Sequence, residues 1–108
     1  MKKFSNKVSL TGNLGTDVES KMVKSGNFAK VNLGVNEKFT NKAGQEKENI
    51  FWFNLIAFGE AAEKLATCKK GDYIAINGKL NQETAEVEGK KKYKINIIVL
   101  EIEVLKSK

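Results

Sequence analysis

The chain has 108 residues, of which 41% are hydrophobic and 30% charged, so one folded domain spanning 1–108 is expected and a disordered or low-complexity chain is excluded. Histidine is absent and Cys68 is the sole cysteine, which rules out an intrachain disulfide and a His/Cys zinc cage and removes the commonest general base near neutral pH. All nineteen cationic residues are lysine and the net charge is +6, a balance that attracts polyanions.

Lysine offers a mobile point charge where arginine offers a planar fork, so such a surface suits phosphate backbones and reads base edges poorly. An AT-rich genome would give the same bias, with the same physical consequence. The thirteen carboxylates are scattered, with no D-x-D or E-x-x-H cluster. Neither a metal nor another cofactor is expected, and catalysis is not. Cys68 lies in a helix-like segment without an imidazole beside it, the setting of an inert buried thiol. No apolar run is long enough to span a membrane, and MKKFSNK is not followed by a hydrophobic segment. A cytoplasmic location is the expectation.

In chain order, Val8, Leu10 and Leu14 alternate through a first strand that contains Gly12 and Gly15, and the chain continues extended from Val18 to Val23. A turn is predicted at Lys24-Ser25-Gly26-Asn27. Ala29, Val31, Leu33 and Val35 then alternate against Lys30, Asn32 and Asn36, as in a half-buried strand. The polar stretch Thr40 to Asn49 reads as a loop. A strand rich in aromatics follows, IFWFNLIAFGE from Ile50 to Glu60.

Glu60 to Cys68 changes to helical composition, with Ala62, Leu65 and Ala66 on one face, and Lys69-Lys70-Gly71-Asp72 ends it. Alternation resumes from Tyr73 to Leu80. A charged hairpin tip around Glu86 to Lys92 leads into a last strand from Tyr93 to about Leu105. Five strands with one short α-helix between strands 3 and 4 is the order of the OB-fold, an all-β five-stranded Greek-key barrel. Gly12, Gly34 and Gly78 fall inside strands, where barrels bend or backbones approach closely.

The aromatic strand carries the functional signal. One parity holds Phe51, Phe53, Leu55 and Ala57 and fills a core; the other holds Trp52, Asn54, Ile56 and Phe58. Trp52 and Phe58, with Asn54 between them, form either a platform on which bases stack or a second surface sealed in a core or subunit interface. The lysine excess favours the platform. Phe4 and Phe28 read as packing residues. Gly12-Asn13-Leu14-Gly15 fits a backbone-clamping GxxG pattern, but a glycine-bent barrel strand explains it better.

Asn6-Lys7-Val8 leading to Gly12-Asn13-Leu14-Gly15, Asp17 and Glu19, Ser25-Gly26, Trp52, Ala57-Phe58-Gly59, Lys70-Gly71 and the Tyr93 strand occur in an order that closely resembles the bacterial single-stranded DNA-binding protein family. The resemblance runs from about Asn6 to Leu105. It implies an OB-fold, a homotetramer (a dimer also being open to this fold), and binding of single-stranded DNA without base preference in replication, recombination and repair, in association with the nucleoid. Carried over by position, Trp52, Phe58 and Phe39 match stacking aromatics, and Lys7, Lys42, Lys69, Lys70 and Lys92 match basic positions that touch phosphates.

Departures from the family pattern are as specific. Asp17-Val18-Glu19 replaces D-P-E, and Glu60 stands where lysine is common. Asn81, Glu83 and Ala85 occupy positions where the family often has arginines and a further stacking tryptophan, which implies the loss of that contact. No acidic, phenylalanine-ending recruitment tail follows Lys108, so the resemblance implies a tailless member of the kind carried by phages or mobile elements, or a core cut from a longer chain. Two rival functions share the fold: a protein-docking module of the primosome that binds nucleic acid only secondarily, and a metal-dependent nuclease, which would need the missing carboxylate cluster.

Overall fold

Apolar alternation builds almost every element of the fold. The computed structural model describes residues 5–23 and 26–107, so Phe4 and the Lys24-Ser25 part of the expected turn lie outside the described residues. The elements are β1 (Val8–Leu14), β2 (Glu19–Val23), β3 (Gly26–Thr40), β4 (Glu46–Phe58), α1 (Gly59–Ala66), β5 (Tyr73–Val87) and β6 (Lys90–Lys106). The sheet order is β1-β5-β6-β4-β3-β2, and a further β1–β3 pairing closes it into a barrel. β1 and β2 are the two halves of the bent first strand. Counted as one, they leave five strands with α1 between the third and fourth, the expected OB-fold.

Closure brings one face of each strand onto a shared core. Leu33 and Val31 of β3, Leu55 and Ala57 of β4, Ile74 and Ile76 of β5, and Ile97 and Val99 of β6 are all buried there. α1 plugs the barrel with Ala62 and Leu65, and Cys68, just beyond the helix, joins the same cluster. Each fully buried Leu or Ile contributes about 1.5–3 kcal/mol, so this layer is the main source of stability.

Closure also demands missing side chains. A Cβ on Gly12 would stand 2.2 Å from the Gly34 carbonyl oxygen, and one on Gly78 would stand 2.1 Å from that of Ile98. In both cases the obstacle is backbone in a neighbouring strand, which cannot rotate aside. Gly78 also sits at a register shift between β5 and β6, as expected for a barrel bend.

Two expectations are corrected. Thr40 to Asn49 is not an open loop, because β3 and β4 stay paired out to Thr40↔Glu46. The turn is tied by Asn41, whose Oδ1 accepts from the N–H groups of Ala43 at 3.0 Å and Gln45 at 2.9 Å. Likewise, the flanking strands do not end at Leu80 and Tyr93: β5 and β6 stay paired from Leu80↔Ile97 out to Val87↔Lys90, and the expected hairpin tip around Glu86 to Lys92 turns at the end of that ribbon. Glu88 and Gly89, both at positive φ (52° and 76°), make its two-residue turn. Both hairpins therefore project past the core as two-stranded arms.

Gly12→Ala and Gly78→Ala should each destabilise the fold by about 2 kcal/mol or more, since the added methyl overpacks against fixed backbone. Urea melts with an unchanged midpoint would contradict the close approach.

Candidate nucleic-acid interface

The pairing of β3 with β4 decides which side chains share a surface. Leu33↔Phe53, Val31↔Leu55 and Ala29↔Ala57 face the core, so Gly34↔Trp52, Asn32↔Asn54, Lys30↔Ile56 and Phe28↔Phe58 face outward. Trp52 is 60% exposed and Phe58 48% exposed in the free chain. At about 3.3 Å per residue their six-residue separation spans roughly 20 Å. Ile56 is buried between them, so the outward face offers two separate aromatic stations rather than one apolar strip. Phe58 is steadied by Phe28, with ring centroids 5.4 Å apart and planes tilted by 58°. Asn54 lies half-buried beside Trp52, opposite Asn32.

Phe51 does not fill the core as its parity suggested. It is 43% exposed, because it lies on the part of β4 that has left the barrel. Phe39 pairs with Lys47 and has the parity of Phe51 and Val35. It is 42% exposed, but on the side of the hairpin opposite Trp52.

The candidate lysines are not gathered in one place. Lys42 is exposed in the β3–β4 turn. Lys69 and Lys70 are exposed in the turn after α1, which is bonded to β1: Gly71 N–H donates to Leu14 O at 2.8 Å, and Leu14 N–H to Asp72 O at 3.0 Å. That turn therefore adjoins Gly15, next to Trp52. Lys92 pairs with Ala85 and Lys94 with Glu83 on the outward face of the β5–β6 arm. β4 and β6 pair in parallel at Leu55↔Ile97 and Ile56↔Ile98, so the outward faces of the two strands are continuous. Lys7 precedes β1 at the end where Val8 pairs with Gly78, roughly 25 Å along the strand from Gly15.

Two lysines escaped the sequence reading. Lys30, opposite Ile56, and Lys38, opposite Glu48, share the outward face with Trp52. Their alternation with Ala29 to Val35 was visible, but which strand they faced depends on the pairing of β3 with β4.

Cys68 is buried, and desolvation, followed by the negative charge of Asp72, pushes its thiol pKa upward. A raised pKa keeps it protonated and unreactive near neutral pH. Among the described residues, no group of three or more His, Cys, Asp or Glu side chains is placed to hold a metal ion. No described helix is long and apolar enough to cross a membrane.

Comparison with known proteins bears on the family and the fold. The profile of the "Single-strand binding protein family" matches residues 5–105. The chain is 33% identical over 102 residues to a single-stranded DNA-binding protein of Aquifex aeolicus, covering 93% of this chain and 69% of that one. It is 33% identical over 106 residues to one from Wolinella succinogenes, covering 95% of this chain and 65% of that one. The chain thus spans about two thirds of the length of these curated relatives. Among solved structures, a Plasmodium falciparum SSB complex with ssDNA superposes with a TM-score of 0.83 at 20% identity, covering 97% of this chain and 98% of that one. A deletion mutant of the single-stranded DNA binding protein from Thermus aquaticus gives 0.83 at 27% identity, covering 94% of this chain and 51% of that one.

Labelling of Cys68 by a thiol reagent should be slow in the folded chain at neutral pH, accelerate only above the ordinary thiol range, and become fast on unfolding. Rapid labelling of folded protein at pH 7 would show a reactive thiolate that this structure does not provide.

Proposed function

Because this chain belongs to the single-strand binding protein family, we infer that it binds single-stranded DNA without base preference, on the outward face of β4. The observation that carries this reading is Trp52, a large ring left 60% exposed on a strand whose other face is core. Burying such a ring under a base recovers its apolar area without any hydrogen-bond readout, and each stacked base contributes about 1–3 kcal/mol. Phe58 supplies a second station, and Asn54 a polar contact beside the first.

Lys30, Lys38, Lys92 and Lys94 flank these rings, with Lys69 and Lys70 on the adjoining turn. Neutralising phosphates there releases condensed counterions, and lysine does so without reading sequence. A strand that engages Phe39 as well passes round the β3–β4 hairpin, with Lys42 at its tip. A strand that reaches Lys7 runs further around the barrel.

We take residues 1–108 as one domain and the chain as a binding protein rather than an enzyme. It works in the cytoplasm with the nucleoid and keeps DNA unpaired during replication, recombination and repair. Homo-oligomers are typical of the family, and a homotetramer is the assembly proposed here.

Binding of oligo(dT) should quench the fluorescence of Trp52, the only tryptophan. Log affinity should fall with log salt at a slope of about −0.7 per phosphate engaged. By anisotropy of labelled oligonucleotides, Trp52→Ala should weaken short and long ligands alike, by about tenfold. Phe39→Ala should weaken only those long enough to round the hairpin. Unchanged binding in Trp52→Ala would remove the assignment.

A further inference from the structure

Trp52 lies close over two glycines. Gly34 is its partner across β3, and beyond it lies Gly15, tied to β3 by an N–H donated to Asn32 O at 3.0 Å. The benzene half of the indole reaches over both glycines. A Cβ on Gly34 would stand 2.8 Å from Cζ3 and 3.0 Å from Cη2; a Cβ on Gly15 would stand 2.2 Å and 2.9 Å from the same two atoms. Carbon atoms need about 3.5–4.0 Å. Neither position can carry a methyl while the ring keeps its place, yet the ring remains 60% exposed.

These glycines differ in kind from those that close the barrel. At Gly12 and Gly78 the obstacle is a carbonyl of a neighbouring strand, whereas at Gly15 and Gly34 it is the far end of one side chain. That end can swing away. Neither Gly15 nor Gly34 has a left-handed φ, so alanine fits the backbone at both. The fold does not need glycine at these two positions. The ring does.

We propose that Gly15 and Gly34 are positioning residues for DNA binding: a floor without side chains that seats Trp52 across β3 and fixes which surface of the indole meets a base. The proposal rests on the reading of Trp52 as a stacking ring. A seated indole is preorganised, so binding does not have to freeze a ring that samples several rotamers. A methyl on the floor lifts the ring and returns that freedom to it.

The test compares Gly15→Ala and Gly34→Ala with the parent protein. Thermal midpoints should stay level or rise slightly, as alanine restricts the unfolded chain. In the free protein, Trp52 emission should shift and acrylamide should quench it more readily. Affinity for labelled oligo(dT) should fall about tenfold. In a Trp52→Phe background, whose shorter ring withdraws from Gly15, the loss caused by Gly15→Ala should disappear. Parent-level affinity in Gly15→Ala, or an equal loss in the Trp52→Phe background, would overturn the proposal. Should Gly34→Ala fail to fold, Gly15→Ala decides alone. If the parent itself does not bind oligo(dT), the DNA reading fails instead. The emission of free Gly15→Ala then still reports whether the floor seats the ring, and an unchanged spectrum rejects it.

Discussion

The register between β3 and β4 is the constraint on which the site depends. Their pairing runs unbroken from Phe28↔Phe58 to Thr40↔Glu46. Because side chains alternate faces, a slip of one residue would turn Trp52 into the barrel and push Leu55 and Ala57 into water. Burial of Leu33, Leu55, Ala57 and their neighbours makes that slip costly. The hydrophobic core thus holds an exposed indole in place from behind. The core and the proposed binding surface lie on opposite faces of one strand.

Much of this was legible beforehand. Alternation at Ala29 to Val35 and at Tyr73 to Leu80 marked the half-buried strands, and two apolar parities at Phe51 to Phe58 singled out a strand with work for both faces. The helix was betrayed by composition. The arms were harder to read. Thr40 to Asn49 and Glu86 to Lys92 show no apolar alternation, because a ribbon beyond the core buries neither face. Without apolar periodicity they read as loop and tip. Their pairing comes instead from turn chemistry, at Asn41 and at Glu88-Gly89. Phe51 reads as core for the converse reason: parity predicts direction, but not where the core ends.

Cross-strand neighbours were beyond reach. Nothing along the chain reveals that Lys30 and Lys38 share a face with Trp52, since that follows from a pairing and not from spacing. The same holds for the glycines. In sequence, Gly12, Gly15, Gly34 and Gly78 all read as bends or close approaches. In three dimensions they divide into two that let backbones meet and two that lie under a ring. The all-lysine charge, in contrast, needed no structure to interpret. It reads phosphate and not sequence wherever it is placed.

The central claim is that DNA lies on the outward face of β4 and not on some other surface of the barrel. Photochemical cross-linking of a halogenated oligo(dT) analogue, followed by mass spectrometry of the joined peptides, tests it most directly. The account predicts that cross-links concentrate on Trp52 and Phe58. Cross-links confined to the polar outer surface of β1, β5 and β6, around Ser9, Asn77 and Glu101, would contradict it.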